Sequence, residues 1–125
     1  MTEQTGALRA VVIGGSGFLG SHVADQLSVE GHSVCIYDRV ASPWQRPDQE
    51  MVVAELSDEA SLSEAIDGTD IVYNFAALAD LDETMSRPKE TAEVNILGNM
   101  NVLESCRHHD VARFVFASTV YVNSR

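Results

Sequence analysis

Positive charge is what this sequence has least of. Eight lysines and arginines stand against nineteen aspartates and glutamates, a formal net charge of −11, and Lys89 is the one lysine. A chain this acidic repels phosphate backbones and anionic headgroups, so general nucleic-acid and membrane-surface partners are excluded. Cysteine is scarce as well. Cys35 and Cys106 lie far apart inside apolar stretches, which excludes a disulfide framework or a zinc site and reads as reduced core thiols of a cytoplasmic protein. Long hydrophobic runs are missing: residues 10–13 are cut off by Gly14 and Gly15, far short of a membrane span. Residues 1–9 are polar and carry Glu3, without the basic flank and apolar run of a secretory signal. No internal repeat or low-complexity tract is present. What remains, at 45% hydrophobic and 22% charged over 125 residues, is the composition of one globular domain.

Apolar runs and helical periodicities alternate along the chain. Residues 8–13 (LRAVVI) form a β-branched run ending in glycines, as a fully buried strand does. Leu19, Val23 and Leu27 then recur at helical spacing, with Gly31 placed to stop the helix. Residues 33–37 (SVCIY) give a second strand closed by Asp38. Residues 39–50 read as a surface loop, with Trp44 between two prolines as its anchor. A weaker third strand covers 51–56. Ser57 or Asp58 caps a short helix with Leu62, Ala65 and Ile66 inward. Residues 70–77 (DIVYNFAA) form the fourth strand, and 80–87 a polar loop with a helical turn. From Pro88 a helix runs to about His108, with Ala92, Ile96, Met100, Leu103 and Cys106 on its inner stripe. Residues 113–117 (RFVFA) form a fifth strand.

Strands apolar on both faces, separated by helices, imply a mostly parallel sheet covered on both sides. The expected fold is therefore α/β, a Rossmann-type doubly wound parallel sheet of about five strands in the order 3-2-1-4-5, ending before a sixth.

Gly14-Gly15-Ser16-Gly17-Phe18-Leu19-Gly20 joins the first strand to the first helix. A glycine after a strand permits a tight turn. One at the helix start, Gly17, lets a pyrophosphate approach backbone N–H groups where the helix dipole favours its charge. Gly20, one turn on, removes a side chain where helix meets sheet. Asp38, closing the second strand, is placed to accept both hydroxyls of an adenosine ribose and repel a 2′-phosphate. Arg39 beside it is the residue type that accommodates a 2′-phosphate, or else a solvated loop arginine. NAD is expected over NADP.

GGSGFLG, Asp38, Asn74-Phe75-Ala76-Ala77, the VNILGNMNVLE stretch and RFVFAST together resemble the extended short-chain dehydrogenase/reductase family, and within it the NAD-dependent epimerase/dehydratase group acting on nucleotide sugars. The resemblance implies an oxidoreductase or isomerase whose bound NAD takes a hydride from a sugar carbon while a tyrosine removes the hydroxyl proton. It implies that Phe18 and Leu19 lie beside the pyrophosphate. Glu55-Leu56 matches an adenine-contacting segment that usually begins with Asp, and Phe75, Ala76 and Ala77 line the cofactor. Asn95 matches an asparagine near the cofactor, or else bonds a neighbouring loop. Thr119, with Ser118 as the alternative, matches the hydroxyl that assists proton transfer, although Val122-Asn123-Ser124 stands where Val-Tyr-Gly is usual.

The family's Tyr-x-x-x-Lys pair is absent: Tyr37, Tyr73 and Tyr121 are followed at the fourth place by Ala41, Ala77 and Arg125. The expectation is that residues 1–125 are the dinucleotide-binding N-terminal part of a longer, homo-oligomeric enzyme. Alone they would be catalytically inert, bind NAD weakly and self-associate through a bare strand edge. The rival expectations are a non-catalytic dinucleotide-binding or sensor domain and a fragment that binds nothing. No metal is expected. Asp80, Asp82 and Glu83 read as a solvated loop or helix start, and His108 and His109 as helix-end cations.

Overall fold

A computed structural model of the chain describes residues 6–123. Residues 1–5, Ser124 and Arg125, which enter the leader and Tyr-x-x-x-Lys readings, lie outside the described residues. Five parallel strands, β1 (Arg9–Ile13), β2 (Ser33–Asp38), β3 (Glu50–Val53), β4 (Ile71–Asn74) and β5 (Arg113–Phe116), form one sheet in the order β3-β2-β1-β4-β5. The expected order is thereby met. β1 lies at the centre, where Val11 pairs with Cys35 on one side and Val72 on the other. Ala10, Val11, Val12 and Ile13 are fully buried, as continuous apolar runs in a two-sided parallel sheet should be. Each buried valine or isoleucine contributes about 1.5–3 kcal/mol.

Helix α1 (Phe18–Val29) covers one face, packing around Val12, Ala24, Val34 and Ile36. Its inner contacts are Gly20 and Ala24, with Val23 and Leu27 partly buried, whereas Leu19 is half exposed rather than inward. Helix α2 (Glu59–Ile66) covers the other face with Leu62, Ala65 and Ile66, as the spacing predicts. Its cap is Asp58, whose carboxylate accepts from the Ser61 N–H.

Four elements differ from the expectation: two strands, the polar stretch after residue 80 and the long helix. β3 and β4 are four residues each, because residues 54–56 and 75–79 leave the sheet after their last ladder positions. The polar stretch after residue 80 is a true helix, α3 (Leu81–Ser86), capped by Asp80 accepting from the Glu83 N–H. The long helix is composite: α4 (Pro88–Ala92), a π-helical turn over Glu93–Gly98, then α5 (Asn99–His108). Its inner face is Gly98, Val102 and Cys106, with Asn95, Asn99 and Asn101 beside them. Ile96, Met100 and Leu103 of the expected stripe face outward at 42–59% exposure, and Ala92 is exposed as well. Cys106 of the expected stripe does face inward, beside Val102, but toward the loops the helix presents half-buried asparagines instead of the other apolar positions. Trp44, expected as the loop's anchor, is 70% exposed. The loop is held instead by buried Gln49, which donates to Ala24 O and Ser28 Oγ, and by the Arg46–Asp25 ion pair.

Three acidic protons are locked into this core. Burial, reinforced by Asp58 and Glu55, pushes the Tyr37 hydroxyl from 10.0 up to about 12. Burial above all pushes the Cys35 and Cys106 thiols from 9.0 up to about 11. All three are neutral in the fold and ionise more readily when it opens, so the stability they contribute is fully present below the unfolded values and is lost as pH rises. Denaturant stability is expected to hold at neutral pH and fall progressively from about pH 9 to 12. Tyr37→Phe should remove the portion between about 10 and 12. An unchanged alkaline limb in that variant would refute the assignment.

Candidate dinucleotide site

A cleft of about 570 Å³ opens at the carboxyl ends of the strands, lined by Gly14 and Gly17, by Asp38 and Arg39, by Glu55 and Leu56, and by Phe75, Ala76 and Ala77. The chain turns out of β1 at Gly14, whose φ of +76° favours glycine and whose Cβ would lie 2.7 Å from Ala76 N. Close packing continues at Gly20, where a Cβ would meet Gly14 O at 2.2 Å. Gly17 is different: a Cβ there would have only Gly14 O, at 3.4 Å, within reach, so the space beside it is open. Helix α1 begins at this open point with no side-chain cap and no acidic residue in its first turn. Uncapped N–H groups at a helix start favour an anion. The residues present therefore fit a pyrophosphate.

Asp38 is fixed by its neighbours. One carboxylate oxygen accepts from Ser16 N–H at 3.0 Å and the other from Val40 N–H at 3.1 Å, while Ser16 Oγ donates to Val40 O at 2.6 Å. Each oxygen keeps a lone pair for a ribose hydroxyl. Arg39 lines the cleft, and its Nη1 stands 3.9 Å from Glu90 Oε1. Tyr37 works beneath the floor, donating its hydroxyl to Glu55 O at 2.7 Å and so setting where Glu55-Leu56 leaves β3.

Asparagines of the composite helix hold the walls. Asn95 accepts from Leu78 N–H at 2.8 Å and donates to Leu78 O at 3.0 Å, so it takes the loop-bonding role. Asn99 Oδ1 accepts from Asn74 Nδ2 at 2.9 Å, and Asn74 Oδ1 in turn accepts from Ala76 N–H at 3.1 Å. Asn101 donates to Leu56 O at 3.0 Å. Gly98 leaves room for Leu56, whose Cδ1 would lie 2.7 Å from a Cβ there.

The structure thus gathers Gly14, Gly17, Asp38, Arg39, Glu55, Leu56, Phe75, Ala76 and Ala77 around one cleft. Phe18 and Leu19 are exposed at 85% and 52% and are not part of its lining. Ser118 and Thr119 are exposed just past β5, on the same side of the sheet but away from that lining. Spacing missed Glu90, Glu93 and Val94, which line the cleft from a helix remote in sequence, and the wall-holding Asn74, Asn99 and Asn101. For Asn74 a signal existed, a polar residue ending an apolar strand. Among the described residues no group of three or more His, Cys, Asp or Glu could hold a metal, and no helix is long and apolar enough to cross a membrane.

Open α/β sheets bind ligands outside the carboxyl ends of their strands, where the strand order reverses. Here that is between β1 and β4, where Ile13 and Phe75 enter the cleft, and the class this defines is a Rossmann-type dinucleotide-binding domain. The chain belongs to the NAD dependent epimerase/dehydratase family, whose model matches residues 10–124. It is 32% identical over 121 residues to the human sterol-4-alpha-carboxylate 3-dehydrogenase, decarboxylating, covering 96% of this chain and 31% of that protein. A UDP-glucose 4-epimerase of Klebsiella pneumoniae is 27% identical over 127 residues, covering 92% of this chain and 91% of that sequence. Among solved structures, the Thermus thermophilus UDP-glucose 4-epimerase complex with NAD superimposes with a TM-score of 0.84 at 32% identity, covering 90% of this chain and 38% of that one. The chain spans 31% to 37% of the length of three of its curated relatives.

Proposed function

We propose that the chain binds NAD across this cleft and forms the cofactor-binding part of an epimerase or dehydratase acting on a nucleotide sugar. The observation that carries the reading is the join of an uncapped helix start at Gly17 to a carboxylate, Asp38, held rigidly at the end of β2. The pyrophosphate would rest on the α1 N–H groups, the adenosine ribose on Asp38, and the adenine beside Leu56. Bound NAD supplies a hydride acceptor and donor. Thr119, with Ser118 as the alternative, is assigned to assist proton transfer at the substrate hydroxyl, supported by its position beyond the carboxyl end of β5. Support for the sugar-nucleotide class comes from the epimerases among the solved relatives, two of them in complex with NAD.

Pairing of chains is part of the proposal. Among the described residues β5 is a sheet edge, and Ile96, Leu97, Met100 and Leu103 are exposed apolar side chains on the composite helix. Two unpaired buried thiols favour a reducing compartment such as the cytoplasm.

Calorimetric titration with NAD and NADP tests the reading. NAD should bind more tightly, and Asp38→Ala should weaken it at least about tenfold, since each charge-assisted hydrogen bond lost is worth about 1.5–3 kcal/mol. Tighter NADP binding, or an affinity indifferent to Asp38, would overturn it.

A further inference from the structure

The end of β2 carries two residues with opposite preferences. An acidic side chain there reads ribose hydroxyls, and an arginine nearby accommodates a 2′-phosphate. Asp38 and Arg39 are adjacent, and both line the cleft. At the end of β2, Asp38 favours NAD and Arg39 works against that preference. The structure brings a third group to the same place from another element.

Glu90 projects from α4 into the cleft lining. Its two carboxylate oxygens face different arginines: Oε1 lies 3.9 Å from Arg39 Nη1, and Oε2 accepts from Arg87 Nη1 at 3.0 Å. Arg87 also pairs with Glu83 at 3.0 Å, so Glu90 is held from its own helix side and reaches across to the β2 loop. Glu93, one turn further on, lines the same wall. Among the described residues, the charged side chains lining the cleft are the carboxylates of Asp38, Glu55, Glu90 and Glu93 and the guanidinium of Arg39, with Arg87 behind Glu90. A 2′-phosphate would bring further negative charge into that field.

We propose that Glu90 is a specificity-determining residue: it engages the Arg39 guanidinium and sets its own carboxylate at the adenosine end, so that a 2′-phosphorylated dinucleotide is rejected. The inference rests on the dinucleotide reading above and deepens it. Arg39 and Glu90 are 54% and 37% exposed, so the pair adds little to fold stability. Its effect is on the ligand. A free arginine at this position would be a phosphate partner, whereas one already facing a carboxylate is compensated and flanked by like charge.

The test is calorimetry of NAD and NADP on the 125-residue chain, on Glu90→Gln and on the double variant Glu90→Gln/Arg39→Met. Neutralising one carboxylate beside the phosphate should raise NADP affinity on the order of tenfold in Glu90→Gln. NAD affinity should change less than about twofold, and the NADP gain should shrink with added salt. The double variant should keep only the part of the gain that comes from the lost carboxylate, because the rest belongs to the released arginine. An NADP/NAD ratio unchanged in Glu90→Gln, with NAD still bound, would overturn the role of Glu90 alone. A gain that survives Arg39→Met in full would overturn the part played by Arg39. A chain that binds neither nucleotide would overturn this proposal together with the reading beneath it.

Discussion

Gly20→Ala is expected to lower the melting temperature by roughly 12 °C, the equivalent of about 3 kcal/mol for a domain of this size. The added Cβ would lie 2.2 Å from Gly14 O and 2.8 Å from both Gly14 C and Gly15 Cα. These are backbone atoms of the turn between β1 and α1, and no rotamer change can withdraw them. Gly14 itself is hemmed in, because its N–H donates to Tyr37 O at 2.8 Å and its α-carbon faces the Ala76 backbone. Relief therefore requires α1 to lift from the sheet, which uncovers Val12, Val34 and Ile36. Thermal melts followed by circular dichroism read the effect. A Gly20→Ala chain that melts with the parent would show that the turn yields where the packing says it cannot.

Gly17→Val should do the opposite. Open space lies beside Gly17, and its nearest approach, Gly14 O at 3.4 Å, is ordinary contact. The backbone at Gly17 has φ −77° and ψ 178°, an extended conformation that valine adopts readily. The fold should stand, with α1 intact and a melting temperature within a few degrees of the parent. The isopropyl group would, however, occupy the space through which an anion reaches the first N–H groups of the helix. Dinucleotide affinity should fall by two orders of magnitude or more, as expected when a phosphate loses several charge-assisted hydrogen bonds at once. Calorimetry beside circular dichroism separates the two effects. NAD affinity unchanged in Gly17→Val would mean that the glycine segment is merely a turn. Three residues apart, Gly20 and Gly17 thus divide folding from binding.

Why some of this was legible in the sequence and some was not follows from where each signal resides. β1 and β2 are read from composition, since residues buried on both faces must be apolar along their length. Gly14, Gly17 and Asp38 are read from order along the chain, because strand, turn, helix start and strand end are local events. The inner face of the composite helix defeats the same logic. Hydrophobicity points to Ile96, Met100 and Leu103, yet the inward positions are Gly98, Val102 and Cys106, flanked by half-buried asparagines of which Asn95 and Asn101 bond to loop backbone atoms. No period within the helix announces an Asn whose bond is to Leu78 or to Leu56. Glu90 was equally hidden: its place beside Arg39 depends on the crossover that returns the chain from β3 to β4, on the other side of β1.

The asparagines also constrain how the cleft can deform. Leu78 hangs from Asn95, the Asn74-Ala76 turn from Asn99, and Leu56 from Asn101. These are two separate stretches of chain, residues 74–78 at the end of β4 and Leu56 beyond β3, and each would otherwise move on its own. Tied to successive turns of one helical rod, they become coordinates of the same body. A tilt of that rod carries both walls in concert, so the mouth widens or narrows as a unit and keeps the relative placement of its walls.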